Sequence, residues 1–168
     1  TIIVADFDGT VACRDVGYNF FRHFSGGKNN ELLPFWKSGE LTTRECLNRE
    51  AELVIVNHDE IYPFLDTFEL DPGFGRMVAL CQNQNIPLSI ASDGLDFYIK
   101  EIFAANGIEG LSTFSNVLEF VSCGGDSRFD LGISFPHADA ECKRCACCKR
   151  NIIVTHSGDE DIIVYIGE

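Results

Sequence analysis

The stretch Thr1-Ile2-Ile3-Val4-Ala5-Asp6-Phe7-Asp8-Gly9-Thr10 constrains this chain more than any other. An apolar, β-prone run ends in two carboxylates one residue apart, followed by glycine and threonine. It reads as a buried parallel strand that delivers chemistry at its C-terminal edge. In an open α/β sheet ligands gather outside the carboxyl ends of the strands, and residues two apart on an extended chain face the same way. Asp6 and Asp8 are therefore expected where a substrate can reach them. Two carboxylates held together repel unless a cation or a shared proton intervenes, and hard oxygen ligands beside an open position suit magnesium. The plainer alternative is an acidic turn closing a strand.

After Thr10, Val16, Phe20, Phe21 and Phe24 recur at helical spacing until Gly26-Gly27 stops them. A short helix follows over Leu32 to Lys37, ending near Gly39, and Thr42-Thr43-Arg44-Glu45 has the capping-box spacing that starts another. Asp59 to Phe68 offers a fourth, blurred by Pro63. Residues 14–70 thus read as a helical insert. The sheet resumes with Asp71-Pro72 as cap and first-turn proline of a helix whose buried face is Phe74, Met77, Val78 and Cys81. Ile86 to Ala91 is the next strand, and Ser92-Asp93-Gly94 is expected to form a turn before a helix over Leu95 to Ala105. Small residues at a helix N-terminus make an anion site, although Ser92 serves equally as an N-cap.

Between Asn116 and Phe135 the period changes to two, which predicts a hairpin around Cys123-Gly124-Gly125-Asp126, projecting from the core. A cysteine cluster leads into Lys149 and the apolar segment Ile152 to Val154, and Ile162 to Ile166 reads as the last strand. The fold expected is α/β, with a Rossmann-like core of mainly parallel sheet over residues 1–13 plus 71–168.

Composition narrows the partners. At 168 residues and 45% apolar content, one main domain with a small accessory unit is expected. Thirteen Lys+Arg against 26 Asp+Glu give a net charge of −13, a field that repels phosphate backbones and anionic lipid faces. Nucleic acid and membrane surfaces are accordingly not expected as partners, whereas local cations can still bind a small phosphorylated substrate. No apolar run reaches the roughly 20 residues that span a bilayer, and no basic-then-apolar leader precedes the first strand. A soluble, cytoplasmic protein is expected.

Asp6 and Asp8 after a strand, Ser92 after a strand, Lys149 before a helical segment and Glu168 after a strand stand in one order. That order resembles the four-motif layout of the haloacid dehalogenase-like (HAD) phosphatases. The helical insert is similar to the cap of phosphoserine-phosphatase-like members. The segments Asp71-Pro72-Gly73-Phe74 and Ser92-Asp93-Gly94-Leu95-Asp96-Phe97 resemble the branch that contains a methionine-salvage phosphatase, as do Cys148-Lys149 and Tyr165-Ile166-Gly167.

The resemblance implies a magnesium-dependent phosphomonoester hydrolase acting on a small phosphorylated metabolite. Asp6 would be the nucleophile that forms an aspartyl-phosphate, and Asp8 the general acid and base. Thr10, Ser92, Asp93, Gly94 and Lys149 would hold the phosphate, and Asp6, Asp8 and Glu168 the magnesium. The family's fourth motif normally reads Gly-Asp with a second aspartate a few residues later. Here the first acid is glutamate, and the second is expected beyond Glu168 in a longer chain. Two alternatives keep the fold: a non-catalytic phosphometabolite-binding protein, and a phosphotransferase.

Other clusters compete for attention. Cys142, Cys145, Cys147 and Cys148, with His137, invite a structural zinc through their C-x-x-C spacing, but a second C-x-x-C is missing and free thiols beside Lys149 are the weightier reading. Phe20, Phe21, Phe24, Phe35 and Trp36 read as cap core, some of them roofing a pocket. Arg14, Arg44 and Arg49 could meet a substrate carboxylate or balance nearby acids.

Overall fold

The computed structural model describes residues 1–122, 128–142 and 144–167, apart from the side chain of His58. It contains one six-stranded sheet in the order β2-β5-β4-β3-β1-β6. The strands are β1 (Ile2–Ala5), β2 (Ile55–Asn57), β3 (Leu88–Leu95), β4 (Ser112–Ser122), β5 (Arg128–Ser134) and β6 (Ile163–Ile166). β1 lies between β3 and β6, parallel to both, and β3 pairs parallel with β4. β4 and β5 form the antiparallel hairpin, which gives the mainly parallel sheet with a hairpin excursion that the sequence pattern anticipates. The expected hairpin tip, Cys123 to Asp126, lies outside the described residues.

The helices are α1 (Val16–Phe24), α2 (Leu33–Ser38), α3 (Thr43–Glu52), α4 (His58–Leu65), α5 (Phe74–Asn83), α6 (Asp96–Ala105) and α7 (Lys149–His156). Several starts and stops have local causes. Asp15 caps α1 by accepting the Tyr18 N–H, and Gly39 ends α2 in the left-handed conformation. Thr42 and Glu45 complete a reciprocal capping box at α3. α5 begins at Phe74, later than the Asp71-Pro72 signal indicates, because the Asp71 carboxylate accepts the Gly73 N–H and holds these residues in a turn.

Three further differences matter for the site. The insert is not wholly helical: its strand β2 pairs antiparallel with β5, so the hairpin does not project freely but joins the insert to the sheet. β3 continues through Ser92, Asp93 and Gly94 with an irregularity between Ala91 and Leu95, where a turn was expected. Phe20 and Phe21 are buried, but in the main core shared with the sheet and α6 and not in a core of the insert alone, and Phe35 and Trp36 are exposed. The main core gathers Phe7, Val16, Phe20, Phe21, Ile90, Ile99 and Phe103 beneath the sheet ends, which fixes the turn after β1.

Candidate active site

Phe7 explains how the two aspartates are presented. Its buried ring packs on Phe103 (5.5 Å between centroids) and Tyr98 (6.0 Å), so the residue between Asp6 and Asp8 is clamped inward against α6. Phe7–Val11 forms a wide turn in which Ala12 N–H donates to the Phe7 carbonyl and Gly9 takes φ +70°. That left-handed position suits glycine. Thr10 lies in the same turn but is not among the residues that line the cavity above the aspartates.

Asp6 and Asp8 have different surroundings. The Asp6 carboxylate accepts the Phe7 N–H at 2.8 Å and is ion-paired with Lys149, the first residue of α7. In Lys149 burial pulls the pKa down, but the bond to Asp6 and its charge outweigh it and leave the ammonium above its ordinary value. Asp8 Oδ1 accepts the amides of Val16 (2.7 Å) and Gly17 (3.2 Å) at the start of α1. Its Oδ2 accepts the hydroxyls of Tyr98 (2.9 Å) and Ser92 (3.4 Å). Burial, and then the charge of Asp15, push the Asp8 carboxyl up to about 6 against these donors. It can therefore give and take a proton near neutrality.

Ser92 and Gly94 are brought to the aspartates, though in a different arrangement from the one expected of an anion cradle. The Gly94 N–H donates to Ser92 Oγ (2.9 Å), and buried Ser92 donates to Asp8. Glycine is needed at 94 because a Cβ there would lie 2.5 Å from Asp8 Oδ2 and 3.0 Å from Ser92 Oγ. Asp93 turns to the loop ahead of Lys149, where its Oδ1 accepts the amides of Ala146 and Cys147. Burial raises its carboxyl, and those two amides hold it down in part. Fully buried Asn116 donates to the Asp93 carbonyl, bracing it from β4.

A cavity of about 540 Å³ opens above these groups, with Asp6, Asp8, Ser92 and Lys149 on one wall and side chains of α1, α2 and α3 on the other. Sequence reasoning missed three of its polar residues. Tyr98 is buried on the otherwise apolar face of α6 shared with Ile99 and Ile102, and a polar tip on such a face was the available signal. Asp15 is an N-cap whose proximity to Asp8 is tertiary. Glu50 lines the cavity from α3. The arginines Arg14 and Arg44 are elsewhere, donating to the carbonyls of Thr67 and Cys142.

For a magnesium ion, the Asp6 carboxylate and the Asp8 backbone carbonyl are oxygen donors of the required hard type. Gly167 abuts them: Asp6 N–H donates to the Ile166 carbonyl (2.8 Å), and a Cβ on Gly167 would stand 2.8 Å from that of Asp6. The third expected ligand, Glu168, lies outside the described residues. Among the described residues no three His, Cys, Asp or Glu side chains converge to hold a metal. Within the cysteine cluster, Cys142 and Cys145 place their sulfurs 3.0 Å apart, while the Cys147 thiol is buried, donates to the Phe114 carbonyl and is pushed up to about 12 by burial. The described cysteines thus do not form the four-thiolate site that the zinc reading requires.

Residues 3–167 match the family model of haloacid dehalogenase-like hydrolases. The chain belongs to that family. It is 29% identical, over 99% of its length, to the 2-hydroxy-3-keto-5-methylthiopentenyl-1-phosphate phosphatase of Bacillus pumilus, covering 71% of that protein. It is also 29% identical to the phosphatase of the same name in Bacillus mycoides, covering 74% of it. Among solved structures it resembles a HAD family hydrolase from Salmonella enterica serovar Typhi, with TM-score 0.66 and 20% identity over 80% of this chain and 45% of that one. A phosphoserine phosphatase solved as a phospho-aspartyl intermediate analogue gives TM-score 0.62 and 16% identity, over 79% of this chain and 62% of the other. The chain is therefore a HAD-type enzyme of the phosphatase kind, on the fold the motif order implied.

Proposed function

We propose that the chain hydrolyses a small phosphomonoester in a magnesium-dependent reaction through an aspartyl-phosphate on Asp6. The observation that carries this reading is the division of labour between two neighbouring carboxyls. Asp6 faces the Lys149 ammonium at the cavity wall, while Asp8 is desolvated and poised near neutrality. Pairs of carboxyls held in such unequal environments mark nucleophile and acid–base roles.

In this mechanism an Asp6 oxygen bonds to phosphorus as the ester P–O bond breaks, and protonated Asp8 gives its proton to the departing alkoxide. Asp8, now a carboxylate, takes a proton from water, whose oxygen bonds to phosphorus and releases Asp6 and inorganic phosphate. Tyr98 and the Val16 and Gly17 amides hold Asp8 in place through both steps. Lys149 supplies positive charge at the phosphoryl oxygens. The Asp6 carboxylate, the Asp8 carbonyl and Glu168 would hold the magnesium, which neutralises phosphate charge when bound. Residues 14–70 act as a cap, since α1, α2 and α3 contribute the wall opposite Asp6.

The substrate class follows from size and charge. The Bacillus relatives are phosphatases of a small phosphorylated metabolite by name, and a chain of net charge −13 disfavours polyanions. No described helix is long and apolar enough to cross a membrane, and a cytoplasmic setting is part of the proposal. The test is hydrolysis of p-nitrophenyl phosphate with magnesium, after chelation, and by Asp6→Asn. Turnover that needs magnesium and vanishes in the variant supports the reading. Turnover that survives the substitution removes the nucleophile. Transfer of phosphate to an added alcohol in preference to water would make the chain a phosphotransferase.

A further inference from the structure

The cap contributes a polar pair that the mechanism does not use. Glu50, in the last turn of α3, is only 6% exposed, yet it lines the cavity opposite Asp6. Its Oε1 accepts the side-chain amide of Asn29 (3.1 Å), which is 0% exposed. Asn29 is itself set by the turn after α1, where its N–H donates to Ser25 Oγ (3.3 Å). Its Oδ1 is buried and has no hydrogen-bond partner among the described residues. Burying such groups costs stability unless each finds a partner, so an acid and an amide kept in a cap core need a reason.

The rest of that wall sharpens it. Phe21, Trp36 and Leu47 line the cavity beside Glu50, and Asp15 lies close enough for its charge to raise the Glu50 carboxyl. Of the two lysines among the described residues that line the cavity, Lys149 is occupied by Asp6 and Lys37 sits on exposed α2. The cap end of the cavity is therefore apolar with one desolvated acceptor, a poor place for a second anionic group.

We propose that Glu50 is a specificity-determining residue whose carboxyl accepts a hydrogen bond from a hydroxyl or amino group on the organic part of the phosphomonoester. Esters that carry a carboxylate at that position are rejected. This rests on the phosphatase reading above. A site that buries a hydrogen-bonding group discriminates strongly against analogues that leave it unpaired. Phe21, Trp36 and Leu47 pack the carbon skeleton, and the donor tells Glu50 that the right end has arrived.

The experiment compares four alkyl phosphates of equal chain length that end in hydroxyl, ammonium, methyl or carboxylate, with p-nitrophenyl phosphate as an unselective reference. In the wild type assayed at about pH 8, above the value of about 7 to which burial raises Glu50, kcat/KM for the hydroxyl or the ammonium ester exceeds that of the methyl ester by about tenfold or more, and the carboxylate ester is last. Whichever of the two leads identifies the donor. Glu50→Leu flattens the ranking, chiefly through KM. Glu50→Gln, which keeps an acceptor and the Asn29 bond, retains part of the hydroxyl preference and loses the ammonium preference. A merely structural Glu50 would shift the melting temperature of both variants and leave the ranking intact, which overturns the proposal. So does a wild type that turns over the carboxylate ester as well as the others. Failure of all five esters overturns the phosphatase reading instead.

Discussion

Replacing Gly94 by alanine tests how tightly the acid–base group is built. The added Cβ would stand 2.5 Å from Asp8 Oδ2 and closer still to the Tyr98 hydroxyl, far inside ordinary contact. Neither neighbour can step aside cheaply. Tyr98 is 1% exposed and packed on Phe7, and Asp8 is held by two α1 amides. The methyl therefore breaks the Tyr98–Asp8 bond or moves β3. Overpacking costs about 1–3 kcal/mol, and a lost hydrogen bond to a charged group about 1.5–3 kcal/mol, so the total is on the order of 3–5 kcal/mol. For a chain of this size that lowers the melting temperature by on the order of 10 °C. Calorimetry and p-nitrophenyl phosphate hydrolysis read the two effects separately, and activity is expected to fall by more than tenfold. Gly75→Ala is the control: it lies in α5 with nothing within 4 Å of the new methyl, and should stabilise slightly. A Gly94→Ala enzyme with wild-type melting and wild-type turnover would show that Asp8 is not confined as described.

Two more predictions follow from the carboxyls of Asp93 and Glu50. Asp93→Ala frees the Ala146 and Cys147 amides and with them the loop that sets Lys149, so kcat for p-nitrophenyl phosphate should drop at least about tenfold, and an unchanged kcat would mean that Lys149 is placed by α7 alone. Burial, opposed by Asn29 and aided by Asp15, raises the Glu50 carboxyl from 4.5 to about 7, so the folded state holds this proton more tightly than the unfolded chain and the wild type loses stability as pH rises between those values. Glu50→Gln should match the wild type at pH 4 and exceed it at pH 8 by on the order of 2–3 kcal/mol, and parallel stability curves in urea would refute this.

What the sequence disclosed was local. The strand into Asp6-Phe7-Asp8, the capping box at Thr42 and the glycine stops after α1 and α2 each depend on residues a few positions apart, and each forms. The glycine at 94 was legible as special but for the wrong reason. Glycine within a strand signals either a turn or a close approach, and here the approach of Asp8 and Tyr98 decides it. β2 escaped notice because three residues in a largely helical insert carry no periodicity, and its partner β5 lies more than seventy residues on. Tyr98, Asp15, Asn29 and Glu50 look ordinary in the chain, and acquire roles only when α1, α3 and α6 converge on one cavity.

That convergence also changes what kind of lid the insert can be. A cap hinged only at Cys13 and Asp71 would swing freely. Here the two connectors run side by side, with Cys13 N–H donating to Glu69 and Asp71 N–H to Val11, and Ala12 bridged to Leu70. β2 pins a second edge to β5 through three paired residues. A third tie joins the start of α3 to the cysteine loop, where Thr43 N–H donates to the Arg144 carbonyl (2.9 Å) and Arg44 to that of Cys142 (3.0 Å). Each such bond contributes about 0.5–1.5 kcal/mol net, so among the described residues the α3 tie adds to the hold that β2 and the connectors already give the insert. The same loop runs on through Asp93's amide contacts to Lys149. In the proposed reaction, a cap that opened on that side would loosen the loop that sets Lys149, and phosphate release would then be coupled to relaxation of the wall that holds Asp6.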